Sequence, residues 1–488
     1  MKARNLLILM SDEHNPKMLG CAGHPLVKTP HLDALAARGT RFSTAYSTSP
    51  ICVPARASFA TGRYVHDIAY WDNSIAYDGR VPGWGHRLQE AGIPVESVGK
   101  LHYRKQSDPV GLDHQYIPMH IKDGVGMVQL SIRKQFPDFI ARGRNIASIP
   151  KSAARGESEY TRYDRKVADI ACDLIRQRAS HDQNWVLFVS FVTPHYPLVA
   201  PAEYLDLYPV DEMPEAKLAP GSGYVPHPWF AALNPPVPPG SYDVAQQKKA
   251  YASYLGLCSF MDAEIGRVLD ALDEAGLTDS TRIIYTSDHG ENAGARGMWG
   301  KSNQYEEAGG IPFIIAGPDV PAAKVCATPV TLVDAHPTIL QAAGLPYGKD
   351  GTPGKSLFDI ATDADDKERV VFSEYHAAGS PSASYMIRKG RFKLIYYVGF
   401  EPELFDLEDD PQEGINLAAD PGFQTVRRDL EALLFGMVDP LAVDRRANLA
   451  QKELIESRGG PEAVMANLIT EKLYTPVPDD AGIQIPSE

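Results

Sequence analysis

Cysteine is scarce and scattered. Five residues, Cys21, Cys52, Cys172, Cys258 and Cys326, are spread over 488 positions, an odd number with no Cys-x-x-Cys pair. This argues against a disulfide framework and against a structural zinc cluster. Four of the five read as small apolar filler; Cys52 is the exception. Positive charge is also short: 48 Lys and Arg face 62 Asp and Glu, a formal net charge of -14. No basic patch offsets it, which excludes a nucleic-acid partner. An acidic protein that handles an anion must instead concentrate its cations locally. No apolar run approaches the length of a membrane span. Leu6 to Met10 is too short for the core of a secretory signal and stops at Ser11-Asp12-Glu13-His14. The expected location is therefore the cytoplasm, with no membrane partner.

What is present suits a large enzyme. Hydrophobic residues make up 44% of the chain, enough for a sizeable core, and the length favours one large and one small domain. Apolar strands are expected at Leu6 to Met10, Pro94 to Val98, Trp185 to Val192, Arg282 to Thr286 and Ile311 to Ala316. Helical spacing separates them, at His31 to Arg38, Pro54 to Thr61, Gly85 to Ala91, around Val167 to Leu174 and over Ala245 to Ala275. This alternation predicts an α/β fold, a large mostly parallel sheet sandwiched by helices. Residues 103–160 look irregular, and the proline- and glycine-rich stretch 201–243 reads as loop. From about 365 the pattern changes to strands in close succession, Val370 to Tyr375, Tyr385 to Lys389, Arg391 to Val398 and Glu403 to Leu407, then a helix near 424–436. The expected domains are 1–365, an α/β catalytic unit; 366–439, a smaller antiparallel α+β unit; and 440–488, an extended polar tail.

Polar clusters fall just after strands or at helix starts, where open α/β sheets place their sites. They are Asp12-Glu13, Cys52-Val53-Pro54-Ala55-Arg56, Lys100-Leu101-His102, and Asp288-His289 with Lys301 downstream. His195, after the strand ending at Val192, is a further contributor. Taken singly each has a bland reading: a turn or cap for the carboxylates, a loop histidine for His195, a solvated charge for Lys301. Their coincidence at equivalent ends of elements in one sheet is what points to a site.

The stretch CVPARASFATGRY resembles the signature of the sulfatase family, Cys-x-Pro-x-Arg followed by Thr-Gly. LLILMSDE, TPHLDALAARG, GKLHY, SDHGENAGARGMWGKSNQYEE and ELFDLEDDPQEGINLA are similar to the same family in the same order. The family belongs to the alkaline phosphatase superfamily. The resemblance implies that Cys52, with Pro54 and Arg56, is converted to formylglycine by a formylglycine-generating enzyme. Its hydrate would attack sulfur through one hydroxyl and expel sulfate by re-forming the carbonyl through the other. It further implies one divalent metal, Ca²⁺ or Mn²⁺, with Asp12, Glu13, Asp288 and His289 as ligands beside Cys52. Arg56 would support the nucleophile, Lys100 and Lys301 would hold sulfate oxygens, and His102 would hydrogen-bond the diol. His195 would lie near the leaving oxygen. Asn73 resembles a substrate-side asparagine of choline-sulfatase-like members. The polar tail resembles arms that join subunits into a dimer or tetramer.

Ala55 stands where serine is commonest, as it does in phosphonate monoester hydrolases, and His289 aligns with those enzymes and with choline sulfatases. Glu13 departs from the commoner aspartate or glutamine. The expected function is hydrolysis of a small-molecule sulfate ester, with a phosphonate monoester hydrolase or phosphodiesterase as the alternative. The Lys100-Leu101-His102 box favours the sulfatase. A two-zinc phosphatase lacks a second ligand set here, and a catalytically dead scaffold would have lost part of the constellation.

Overall fold

The computed structural model describes residues 5–142, 148–179, 183–233, 243–348, 351–467 and 475–482. Among them an eight-stranded sheet forms the centre. Its strands in chain order are β1 (Asn5–Asp12), β2 (Gly39–Phe42), β3 (Val95–Lys100), β4 (His114–Met119), β5 (Val186–Pro194), β6 (Thr281–Ser287), β7 (Phe313–Ala316) and β8 (Lys324–Cys326). Across the sheet they run β8-β2-β7-β6-β1-β5-β3-β4. Only β7 is antiparallel to its neighbours β6 and β2.

A sheet buried on both faces needs strands apolar at every position, and β1 is buried throughout. Alternate side chains then serve opposite cores. Leu7 and Leu9 of β1 join Leu187, Val189, Ile283 and Tyr285 against helices α1 (Pro30–Ala37), α4 (Glu159–Arg178) and α6 (Val244–Glu274). Leu6, Ile8 and Met10 join Phe188 and Ile284 against α2 (Cys52–Thr61), α3 (Trp84–Glu90) and α7 (Ala335–Ala342). Phe59 of α2 sits between Trp84 and Phe188, at centroid distances of 6.0 and 5.5 Å. Such ring pairs contribute about 0.5–1.5 kcal/mol beyond area burial. They fix the helix on which Cys52 stands.

The second sheet, β9 (Val371–Tyr375), β10 (Ser384–Lys389), β11 (Phe392–Tyr397) and β12 (Glu403–Asp406), is a four-stranded antiparallel meander. One face, with Phe372, Tyr385 and Leu394, packs on Leu430 and Leu434 of α8 (Gln424–Met437). The other, with Met386, Ile395 and Phe405, packs on Trp229, Phe230 and Tyr305.

Three expectations need correction. Residues 201–243 are not loop alone: α5 (Pro228–Leu233) buries Trp229 and Phe230 beneath the small sheet, a two-aromatic anchor hidden among prolines. The irregular segment 103–160 supplies β4, an edge strand whose apolar residues Tyr116, Ile117 and Met119 do not alternate with polar ones. The tail expected to stand off as an arm lies against its own chain as α9 (Pro440–Ser457) and α10 (Gly460–Asn467). Val443 and Ala447 enter the small-sheet core, while Ile455 and Val464 meet Val128 and Ile132. The polar face of α9 is used too, since Asp444 is ion-paired to the buried Arg133 at 2.7 Å. Residues 143–147, 234–242, 468–474 and 483–488, parts of the irregular segment, the loop and the tail, lie outside the described residues. No described helix is long and apolar enough to cross a membrane.

Candidate active site

Helix α2 begins at Cys52, two residues earlier than its proline suggested, so Cys52 is the first helical residue. The preceding Ile51 offers no side-chain cap. Asn73 takes that part instead: its Oδ1 accepts the Val53 N–H at 3.1 Å. A helix start presents free N–H groups and favours negative charge. Cys52 is 1% exposed. Burial, with Asp12 adding to it, pushes its thiol up to about 12, so the unmodified side chain is protonated at neutral pH.

The C-terminal ends of β1 and β6 bring Asp12 and Asp288 to this point, and Arg56 of α2 bridges them. Its Nε donates to Asp288 Oδ2 at 2.7 Å and its Nη2 to Asp12 Oδ2 at 3.1 Å. Nη1 donates to the Lys100 carbonyl at 2.7 Å and to Ser190 Oγ at 3.0 Å. Lys100 Nζ lies 2.7 Å from Asp12 Oδ2. Burial works to raise the Asp12 carboxyl, yet Lys100, His195 and Arg56 outweigh it and hold the group well below the ordinary carboxylate range.

His289 donates from Nδ1 to the Gly290 carbonyl at 3.0 Å, which leaves the Nε2 lone pair facing the cluster. Nε2 is 3.1 Å from Cys52 Sγ, 3.8 Å from Asp12 Oδ1 and 3.7 Å from Asp288 Oδ1. One donor atom from each of Asp12, Cys52, Asp288 and His289 lies within 4.8 Å of the others. Two aspartates and an imidazole nitrogen, all buried, make a donor set that fits a divalent cation.

Glu13 is turned to a different set. Its backbone is left-handed, φ 67°, and its Oε2 receives Lys301 Nζ at 2.8 Å with His195 Nε2 at 3.2 Å. It groups with Asp12 and His195 rather than with Cys52 and His289. Lys301 also donates to His195 Nε2 at 2.7 Å, while Nδ1 of that ring donates to the Tyr196 carbonyl at 2.7 Å. Burial, reinforced by Lys301, holds His195 well below the usual histidine value, so the proton of this pair rests on Lys301. His102 is likewise kept neutral, by burial first and then by Lys100.

The structure thus gathers Cys52, Arg56, Lys100, Asp12, Asp288 and His289 around one point, with Lys301, His195 and Glu13 beside it. Two supporting residues escaped the sequence reading. Ser190, the one hydroxyl in the apolar run Trp185 to Val192, was a visible signal; it accepts from Arg56. Glu291 braces the loop carrying Lys301, its Oε1 accepting the Gly300 and Ala293 N–H groups at 2.6 and 2.9 Å.

This constellation, on this fold, is that of a sulfuric ester hydrolase, and the chain belongs to the sulfatase family, whose model matches residues 4–345. A model described as N-sulphoglucosamine sulphohydrolase, C-terminal, matches residues 294–439. Among individual proteins, the choline-sulfatase of Rhizobium meliloti is 31% identical over 435 residues, 86% of this chain and 83% of that one. Arylsulfatase K of Bos taurus is 28% identical, over 92% of this chain and 84% of its own. A crystal structure of a phosphonate monoester hydrolase of Agrobacterium radiobacter superimposes with a TM-score of 0.71 at 24% identity, covering 91% of this chain and 96% of that chain. The last likeness concerns the fold.

Proposed function

We propose that the protein hydrolyses a small-molecule sulfate monoester, using a formylglycine made from Cys52 by a formylglycine-generating enzyme and one divalent cation, Ca²⁺ or Mn²⁺. The observation that carries this reading is the position of Cys52. It opens a helix, 3.1 Å from His289 Nε2, within a cation-type donor set that Arg56 and Lys100 border. Asp12, Asp288, His289 and residue 52 would hold the cation, which would supply Lewis-acid polarisation of a bound oxygen. Formylglycine would supply a nucleophilic hydroxyl and, in its second hydroxyl, the means of releasing sulfate.

The chain's own groups account for the rest. Arg56 keeps both aspartates in place. Lys100 and Lys301 are fixed, buried cations suited to oxygens that gain charge as the S–O bond breaks. The Lys301–His195 pair carries one proton between two nitrogens, ready for the departing alkoxide. Asn73 holds the helix start behind the nucleophile. Lys100 also favours sulfate over phosphonate monoesters or phosphodiesters, whose second organic substituent it would crowd. A homo-oligomer, dimer or tetramer, is part of this reading. Its support is the apolar surface on α8 and α9, where Phe435, Leu441 and Leu449 are 50, 51 and 58% exposed.

The test is peptide mass spectrometry of active protein together with rates on aryl sulfates, choline sulfate, phosphodiesters and phenylphosphonate. An aldehyde in place of the Cys52 thiol is expected, with a sulfate ester as the preferred substrate. Full activity with an intact thiol, or preference for a phosphonate over every sulfate, overturns the reading.

A further inference from the structure

His102 stands at the edge of the site with its backbone left-handed, φ 56°, and its N–H donating to the Met119 carbonyl at 2.8 Å. The backbone is therefore fixed by the sheet edge. The ring is fixed by something far away in sequence. Its Nε2 lies 2.7 Å from Oγ1 of Thr475, 373 residues downstream. Its Nδ1 is buried and has no hydrogen-bond partner among the described residues. Leaving such a nitrogen unsatisfied costs free energy, unless a bound molecule or a modified side chain supplies the partner.

Thr475 is itself held. Tyr160 of α4 donates its hydroxyl to the Thr475 carbonyl at 2.6 Å, and the Tyr160 ring stands edge-on to His195, 5.9 Å between centroids. Two residues on, Val477 enters the core beside Tyr160 and Tyr163, and Ala481 follows it there. This short C-terminal segment is seated by apolar burial just beyond the polar contact, and Thr475 is 7% exposed.

We propose that Thr475 is a positioning residue: its hydroxyl engages His102 Nε2, fixes the ring plane, and reserves Nδ1 for an oxygen of the modified residue 52 or of the ester. The proposal rests on the formylglycine reading of the site. A neutral imidazole has one N–H and one lone pair, so commitment of one nitrogen dictates the role of the other. With the Thr475 hydroxyl donating to Nε2, Nδ1 keeps the proton and faces the site as a donor. Without that hydroxyl the ring is free to turn over or to move its proton to Nε2, and the donor is lost. Val at 475 keeps the shape and removes the hydrogen bond; Ser keeps the hydrogen bond.

The experiment uses the full-length, calcium-loaded protein with ¹⁵N-labelled histidine, the His102 resonances being assigned from their loss in His102→Gln. A single Nδ1–H tautomer is expected in the wild type, and its loss in Thr475→Val with return in Thr475→Ser. In steady-state kinetics on a hydrolysed sulfate ester, Thr475→Val should lower kcat about tenfold or more, the usual effect of removing a group that orients an active-site histidine. KM should change far less than kcat, because the lost donor serves the reacting oxygens and not the alcohol part of the substrate. An unchanged tautomer in Thr475→Val overturns the proposal. So does full turnover in that variant, or failure of Ser to restore what Val removes. A wild type that turns over no sulfate ester defeats the sulfatase reading instead, and the nuclear magnetic resonance result still decides the role of Thr475.

Discussion

Lys100 and Asp12 form a buried ion pair, Nζ to Oδ2 at 2.7 Å, on the same carboxylate oxygen that Arg56 Nη2 reaches. Both cations therefore occupy one side of Asp12, and Oδ1 is left to the cluster with His289 and Cys52. The arrangement ties the candidate cation site to the same groups proposed to border the substrate.

Lys100→Ala should reduce kcat/KM for sulfate esters by roughly a hundredfold or more, the usual effect of removing a group that stabilises developing charge. Phosphonate monoester or phosphodiester cleavage should fall much less, since the lost side chain crowds a second substituent. Equal loss in both reactions, measured on one preparation, would return the alternative reading to first place.

Arg56 is 2% exposed and bridges two buried carboxylates. Removing one member of such a network leaves uncompensated charge and costs about 3–5 kcal/mol. Arg56→Met, made in a Cys52→Ala background so that maturation does not intervene, should lower the urea midpoint accordingly. A midpoint within experimental error of the Cys52→Ala parent would show that the two aspartates do not depend on it.

Elemental analysis separates the two carboxylate sets. Asp288→Ala should lose the bound cation, because it removes one of two anionic donors beside His289. Glu13→Gln should retain it, since the Glu13 side chain is turned to Lys301 and away from Cys52 and His289. Retention of stoichiometric metal in Asp288→Ala, or its loss in Glu13→Gln, would redraw the site.

Glu403, the first residue of β12, accepts the hydroxyls of Tyr397 at 2.6 Å and Tyr305 at 3.0 Å. Burial raises its carboxyl from 4.5 to about 7 against the pull of those two tyrosines. A folded-state value above the unfolded one means the contribution is fully present below the unfolded value. It is lost as pH rises through about 7, by an amount on the order of 3 kcal/mol at most. Urea midpoints at pH 5 and pH 8 should therefore differ less in Glu403→Gln than in the wild type. An unchanged difference would remove Glu403 from the pH response.

The large sheet was legible because fully buried strands such as Leu6 to Met10 leave uninterrupted apolar runs, and turn residues bound them. Asp12, Cys52, Arg56, Lys100 and Asp288 were legible because they stand at strand ends or helix starts. What escaped depended on pairing across the chain. Trp229 and Phe230 lie among prolines and acquire a core only when the small sheet covers them. The tail reads as polar because Asp444 and Gln451 are charged or polar, yet both are buried by partners, Arg133 and Asp72, more than 300 residues away. Nothing near Thr475 announces a histidine 373 residues earlier. Glu13 turned from the donor set for a local reason, a left-handed backbone that no spacing rule reveals.

Every residue of helix Cys52–Thr61 is buried, Pro54 and Arg56 as completely as Cys52. An enzyme that reads Cys52, Pro54 and Arg56 in an extended strand of peptide finds none of them at the surface of the finished molecule. On the formylglycine reading, chemistry at residue 52 and closure of the fold would be a race with one permitted order: oxidation while the chain is still open, folding afterwards. A chain that folds first seals an inert thiol inside an otherwise complete molecule. The active fraction of a preparation would then record how often the modification came first.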